Sequence, residues 1–297
     1  MTRLFHILLS TNVQKVRPLA PTVSPEKSIF PAIDRYRRFT SSAAVCQEAS
    51  LLDRLALLDT SSICDAAKAK GQPIGLITHK VRPLNRSLRV MAGRAFTVQC
   101  TAENDFLAVL QGLDQAVEGD VLIVNTKNSQ KAVAGDLFAT EAARKGIQGI
   151  VILDGAMRDT MHLSPTTTHP TAANDLIKNV RCYARRVTPY SGTIKVPGKL
   201  QEPVLCERDW TDDGSDNNVF TIDPGDVIVG DDDGIVVAKE ETFHKLLKTA
   251  QQIAEIESKL RKAMVVDGTS LVSLTNLDTH VAALEGGKDS TLQFRLK

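Results

Sequence analysis

Between Ala134 and Thr160 the chain reads AGDLFATEAARKGIQGIVILDGAMRDT, an acidic helix start followed by a strand with no polar face. Leu137, Phe138, Ala139, Ala142 and Ala143 recur at helical spacing behind Gly135 and Asp136, and Lys145-Gly146 supplies a C-terminal stop. Ile150, Val151, Ile152 and Leu153 then run without a polar residue, the pattern of a strand covered on both faces. A helix feeding such a strand belongs to a layered α/β fold. Asp154-Gly155 is expected to turn the chain, so that Arg158 and Asp159 emerge just past the strand.

Those residue types carry chemistry. Backbone N–H groups left unpaired at a helix start attract a carboxylate. An arginine offers a fork to carboxylate or enolate oxygens, and an aspartate is a hard oxygen ligand. Asp136, Arg158 and Asp159 would together hold a 2-oxo acid on a divalent cation. The plainer reading is a helix-start carboxylate and a strand-end ion pair, both common in α/β proteins.

Around this segment the pattern predicts more layers. Leu51 to Lys70 should form two short helices joined by a turn capped by Ser61 or Ser62. Leu88 to Ala92 and Ala95 to Cys100 are expected as short strands around Gly93. Asp105 to Ala116 is expected as a helix with Phe106, Val109, Leu110 and Leu113 on one face, and Val121 to Val124 as a buried strand. Ile194 to Val196, Val219 to Ile222, Val227 to Val229 and Ile235 to Val237 come with turn signals at Gly192, Pro224-Gly225 and Asp233-Gly234. Strands alternate with helices early and with turns late, which points to a mixed α/β layer fold.

Glu240 to Val265 is the clearest helix, with Phe243, Leu246, Leu247, Ala250, Ile253, Ile256, Leu260 and Met264 as its stripe and Glu255 and Lys259 outside. The stripe packs on its own sheet or on a second subunit. After Gly268 a loosely ordered tail is expected. The organisation is therefore an extension over 1–45, a folded domain over 46–271 and a tail over 272–297.

Composition excludes some function classes. With 297 residues and 42% hydrophobic content the chain can bury a sizeable core, as one large domain or two small ones. A net charge of +1 disfavours nucleic acid, whose capture needs a concentrated basic face. Cys46, Cys64, Cys100, Cys182 and Cys206 lack CxxC spacing and are expected as buried or free thiols in a reducing compartment. No apolar run approaches the length of a membrane span. The first 25 residues carry Arg3, Lys15 and Arg17 with no acid, and Arg35, Arg37 and Arg38 precede Thr40 to Ser42. That composition suits a mitochondrial transit peptide or a disordered extension without an address, so the location is mitochondrial or cytoplasmic.

Other polar clusters have plainer readings. Asp231, Asp232, Asp233 and Gly234 lack the ligand pattern of a calcium loop and read as a hairpin turn. Asp209, Asp212, Asp213 and Asp216 read as a solvated acidic loop. His162 and His169 follow the Arg-Asp pair without zinc-site spacing. No dinucleotide fingerprint or P-loop is present.

From Leu51 to Leu271 the motifs fall in a definite order: TSSICDA, VRPL, GRAFTV, GDVLIV, GDLFA, DGAMRD, PGDVIVGDDDGIVV and a long helix. In this order the chain resembles the family named for the regulator of ribonuclease activity A. That family includes metal-dependent 4-hydroxy-4-methyl-2-oxoglutarate aldolases with oxaloacetate decarboxylase activity. The resemblance implies a swivelling β/β/α architecture in one domain with mixed sheets and a long C-terminal helix. Such chains carry a Gly-rich turn after the GDVLIV-type strand, where this one has Asn125, Thr126, Lys127, Asn128 and Ser129. One extra residue between Asp136 and Arg158 is expected near Leu153, absorbed in a bulge.

The resemblance also implies roles. Main-chain donors at Gly135, Asp136, Leu137 and Phe138 would hold substrate, Arg158 would contact its oxygens, and Asp159 would help coordinate Mg²⁺ or Mn²⁺. Asp136 would position a metal-bound water as the base. Arg158 and Asp136 are then the catalytic residues, acting on a small 2-oxo acid by retro-aldol cleavage or decarboxylation through a pyruvate enolate. A homotrimer, or a hexamer of trimers, is implied as well, with no nucleic-acid or membrane partner. The alternatives are a non-catalytic regulator that binds a ribonuclease or helicase, and a lyase for another 2-oxo acid.

Overall fold

The computed structural model describes residues 49–78, 80–85, 89–163, 177–207 and 219–295. The basic N-terminal stretch, Cys46, Leu88, His169 and the acidic run from Asp209 to Asp216 lie outside the described residues. The described residues divide into two compact units, residues 49–251 and residues 252–295.

The first unit is organised on a mixed sheet with four parallel strands at its centre: β3 (Met91–Gln99), β4 (Asp120–Asn125), β6 (Gly149–Met157) and β7 (Arg181–Val187). Antiparallel strands extend it on both sides. β11 (Val227–Gly230), β12 (Ile235–Ala238) and β1 (Gly75–Ile77) follow beyond β3, and β2 (Arg82–Pro83) lies on β7. Two short strands lie off this path: β5 (Ala132–Ala134) runs parallel to the end of β6, and β8 (Lys199–Leu200) pairs with β3. β9 (Val204–Glu207) and β10 (Val219–Ile222) form a separate antiparallel pair.

The apolar runs fold this way because both faces of the central strands are covered. Leu122, Val124, Ile150 and Ile152 form one core with Ala108, Val109 and Leu113 of helix α3 (Leu107–Gln115) and Ala139 and Ala142 of α4 (Asp136–Lys145). Val121, Ile123, Val151 and Leu153 form a second core with Val204, Cys206 and Ile222 of β9 and β10. The unit is thus layered β/β/α, a mixed α/β fold. α4 ends at Gly146, whose φ of 75° is the left-handed conformation a helix stop requires.

Several local expectations are corrected. β3 is one strand through Gly93, not two around it. Its first residues pair with β11 and its last with β4. A Cβ at Gly93 would lie 2.5 Å from the Gly119 carbonyl, so glycine admits the start of β4 at that changeover. The two N-terminal helices are α1 (Leu51–Leu55) and α2 (Thr60–Lys70), but Asp59 caps α2 by accepting from Ser62 N at 2.7 Å, and Ser61 and Ser62 sit inside its first turn. Ile194 to Val196 is not a strand. Asp105 holds that segment instead, accepting from Thr193 Oγ1 and Lys195 N at 2.7 Å each and from Leu107 N at 3.0 Å. Burial alone would push the Asp105 carboxyl up, but these hydrogen bonds outweigh it and hold it below the usual carboxylate range.

Asp154-Gly155 is not a turn between strand and site; it lies within β6, at a break in register. Pairing with β7 stops at Ile152↔Ala184 and resumes at Ala156↔Arg186, so β6 carries the surplus residues there as a bulge. The Asp154 carboxylate accepts from Thr126 N and Asn128 N at 2.6 Å each, and Arg186 donates to the Asp154 carbonyl at 2.8 Å and to Asn128 Oδ1 at 2.7 Å. Lys127 and Asn128 take positive φ without glycine. The bulge and the unusual 125–129 turn therefore hold each other.

Asp231 to Gly234 joins β11 and β12 as a hairpin. Asp231 accepts from Thr60 N and Thr60 Oγ1 at 2.7 Å, and Asp232 pairs with Arg181 at 2.7 Å. Helix α5 (Thr160–Leu163) follows β6. Helix α6 (Glu240–Val265) buries Phe243, Leu246, Leu247, Ala250, Ile253 and Leu260, whereas Met264 is exposed; Glu255 and Lys259 pair at 2.6 Å. The tail after Gly268 is more ordered than its composition suggests. It forms α7 (Leu277–Glu285), and Asn276 ties the helix start to the last residues through Gln293 N at 2.6 Å and the Thr291 carbonyl at 3.2 Å. Cys64, Cys100, Cys182 and Cys206 form no disulfide, and burial pushes the Cys100 and Cys182 thiols up to about 12. No described helix is long and apolar enough to cross a membrane.

Candidate active site

β5 lies parallel to the end of β6, pairing Ala132 with Ala156 and Ala134 with Met157, so the chain leaves both strands at the same end. From β5 it enters α4 through Gly135. From β6 it passes into Arg158 and Asp159, with Arg158 N donating to the Ala134 carbonyl at 3.1 Å. Crevices at the carboxyl ends of parallel strands are where α/β sheets bind ligands. Here a cavity of about 270 Å³ opens, and Gly135, Asp136, Leu137, Phe138, Arg158 and Asp159 all line it. Every site residue nominated from the sequence is thus brought to one place.

Gly135 is required by space, since its φ of −159° is open to any residue. A Cβ there would lie 2.5 Å from Asp159 Oδ2 and 3.1 Å from Arg158 Cγ. Glycine also provides no side-chain cap; Leu137 N is taken by the Asp136 carboxylate, which leaves the N–H groups of Asp136 and Phe138 at the start of α4 to a ligand. Asp159 takes a left-handed φ of 60°, which an aspartate tolerates but which still stores backbone strain of the kind concentrated at functional sites.

Arg158 Nε donates to Asp159 Oδ2 at 2.9 Å, with the two side chains 42% and 30% exposed. A pair that exposed contributes about 0–1 kcal/mol to stability, so stability alone does not account for it. Among the described residues the terminal nitrogens of Arg158 have no hydrogen-bond partner. Asp136 is half-buried at the helix start, and its Oδ1 accepts from Leu137 N at 2.8 Å.

Among the described residues no three His, Cys, Asp or Glu side chains gather as a metal cage. The carboxylates of Asp159 and Asp136 are the acidic groups in the cavity wall. An all-oxygen pair suits a hard cation such as Mg²⁺, which keeps several waters and needs only one or two protein carboxylates. It does not suit zinc, which takes three or four His, Cys or carboxylate ligands. His162 is exposed and does not line the cavity.

The sequence did not point to Phe106, Leu110 or Ser191 as site residues. Phe106 precedes α3 and meets Phe138 edge-on, with ring centroids 5.9 Å apart and planes at 79°. Their spacing marks a core-facing helix stripe, and only the 39% exposure of Leu110 distinguishes it as cavity wall. Ser191 arrives because Tyr190 to Gly192 runs along β5, with Ala132 N donating to the Tyr190 carbonyl at 2.7 Å and Gly192 N to the Ala132 carbonyl at 2.9 Å. Asn104, at a φ of 56°, pins this edge from the other side. Its Oδ1 accepts from Gln130 N and Lys131 N at 3.0 Å, and its carbonyl from Thr193 N at 2.7 Å.

Comparison with known proteins places this layered fold in one class. The family model described as "RraA-like: Aldolase/RraA" matches residues 60–237, and the chain belongs to that family. A protein of Halalkalibacterium halodurans named "Putative 4-hydroxy-4-methyl-2-oxoglutarate aldolase" is 30% identical over 216 residues, covering 72% of this chain and 89% of the relative. An uncharacterized protein from Pseudomonas syringae pv. tomato superposes with a TM-score of 0.56 at 25% identity, over 75% of this chain and 95% of its own. RraAS2 of Streptomyces coelicolor, described as an unusual member of the RNase ES inhibitor RraA protein family, superposes with a TM-score of 0.53 at 22% identity, over 71% of this chain and 96% of its own. That last likeness concerns the fold alone.

Proposed function

We propose that the chain is a divalent-metal-dependent carbon–carbon lyase acting on 2-oxo acids. The observation that carries this reading is the convergence of Arg158, Asp159 and the uncapped start of α4 on one small cavity. The aldolase name of the Halalkalibacterium halodurans relative supports it.

Asp159, aided by Asp136, would hold Mg²⁺ or Mn²⁺, which when bound supplies Lewis-acid withdrawal of charge from a 2-oxo acid. This chain's own groups do the rest. The N–H groups of Asp136 and Phe138 at the start of α4 receive the substrate carboxylate, and the terminal nitrogens of Arg158 face the oxygen on which charge develops. In retro-aldol cleavage the bond between C3 and C4 breaks, its electron pair becomes the enolate of pyruvate, and C4 departs as a carbonyl. The proton of the C4 hydroxyl leaves through a water held by Asp136, and the enolate is then protonated at C3. Oxaloacetate loses its C4 carboxylate as CO₂ and leaves the same enolate, so one site serves both reactions. No lysine is needed for a Schiff base.

A trimer, or a hexamer built from trimers, is the assembly that goes with this reading. The exposed apolar side chains Leu137, Met161 and Tyr190, which are within the site segments or adjacent to them in sequence, supply surface for it. The test is pyruvate release from oxaloacetate by the full chain with Mg²⁺ or Mn²⁺ and with EDTA, above the metal's own background. Release that needs the metal and is lost in Asp159→Ala supports the lyase. A folded protein with no release above background, which instead captures a ribonuclease or helicase, would mark a non-catalytic regulator.

A further inference from the structure

A second crevice opens at the carboxyl ends of the parallel strands, on the sheet face covered by β9 and β10 rather than by α4. Its volume is about 250 Å³. Asn125 at the end of β4, Leu153 and Asp154 at the β6 bulge and Arg185 near the end of β7 line it. Lys80 and Glu207 are its other charged residues.

The three arginines of β7 are not partnered alike. Arg181 donates to the Arg89 carbonyl and to Asp232, and Arg186 to the Asp154 carbonyl and to Asn128. Arg185 makes no hydrogen bond among the described residues. Its Nη1 lies 3.6 Å from Glu207 Oε2, and that same oxygen accepts from Lys80 Nζ at 2.8 Å. Asp154 is occupied elsewhere, because its two oxygens accept from Thr126 N and Asn128 N. Lys80 and Glu207 therefore match each other, and the charge of Arg185 is left over although its side chain is only 28% exposed. A guanidinium held largely out of water without a hydrogen bond is unfavourable, and a planar carboxylate fits its fork at two points. Ile77, Val81, Leu153 and Leu205 give the same crevice apolar surface.

We propose that this crevice is a binding site for a small monocarboxylate with a branched aliphatic body, its carboxylate paired with Arg185 while Lys80 keeps Glu207. One ligand charge balances the one unmatched guanidinium. A phosphate dianion brings surplus charge beside Glu207 and Asp154 and has no apolar body to cover Ile77, Val81 and Leu153. The site is a binding site only and stands whether or not the lyase reading does.

The experiment titrates 3-methylbutanoate into the full chain labelled at its Ile, Leu and Val methyl groups and follows those methyls by NMR. Saturable shifts should concentrate at Ile77, Val81, Leu153, Leu205 and Val219, which line the crevice. The neutral isostere 3-methylbutanamide should bind the unmutated chain at least about 10-fold more weakly, the scale of losing a charge-assisted hydrogen-bonded pair. Arg185→Met, checked for folding by a thermal melt, should lose at least as much, and Arg158→Ala, in the other cavity, should lose nothing. Inorganic phosphate should bind more weakly than the acid. Equal affinity for acid and amide, unchanged affinity in folded Arg185→Met, or tighter binding of phosphate overturns the assignment. Absence of saturable shifts at these methyls, as when another copy of the chain fills the crevice, overturns the site itself.

Discussion

Arg158→Ala should lower turnover by about 10²–10³-fold, or roughly 3 kcal/mol of transition-state stabilisation, the scale of losing one major oxyanion contact. The effect should fall on kcat more than on KM, because the charge that Arg158 meets is largest as the enolate forms. Folding should survive. The Arg158–Asp159 pair is 42% and 30% exposed and contributes at most about 1 kcal/mol. Arg158→Lys should recover only part of the loss, since an ammonium lacks the planar fork. Steady-state kinetics with a thermal melt of each variant check this, and near-normal turnover in folded Arg158→Ala would remove the arginine from the mechanism.

Gly135→Ala should be nearly as damaging to activity, although it deletes nothing. The added methyl would lie 2.5 Å from Asp159 Oδ2, closer than Cβ atoms approach other atoms, so the carboxylate must move. The carboxylate can turn aside only by giving up its 2.9 Å hydrogen bond from Arg158 Nε and its place in the cavity wall. A displacement of about 1 Å in a positioning group costs on the order of 10²-fold in rate. A small overpacking cost of about 1–3 kcal/mol in stability should accompany it. The specific sign is a raised requirement for Mg²⁺ or Mn²⁺ at half-maximal rate. Wild-type metal dependence and rate in Gly135→Ala would show that the close approach has no bearing on the site.

The parts of this fold visible in the sequence are those where one physical signal dominates. β4, β6, α4 and α6 announce themselves through unbroken apolar runs or a helical stripe with a glycine stop, and these contain most of the site. β7 carries no clear strand signal in the sequence because Arg181, Arg185 and Arg186 interrupt its apolar pattern. Arg181 is nonetheless buried, its guanidinium satisfied by the Arg89 carbonyl and Asp232 at 2.7 Å each. β5 has only three residues, too few to establish a period, and the bulge at Asp154-Gly155 uses the same residue types as a turn. The catalytic candidates were legible because they are near one another in sequence. Phe106, Leu110 and Ser191 reach the cavity only through α3 packing and the pairing of Tyr190 to Gly192 along β5, which sequence spacing does not reveal.

The central claim is that this cavity stabilises the enolate of pyruvate. Proton NMR of pyruvate in deuterated buffer with Mg²⁺ or Mn²⁺ tests it most directly, because formation and reprotonation of the enolate exchange the methyl protons whatever the natural substrate carries at C4. Wild-type protein should accelerate the loss of the methyl signal well above the metal alone, and Arg158→Ala and Asp159→Ala should abolish that acceleration. Saturating pyruvate that binds the folded protein without any exchange above the metal background would contradict the account.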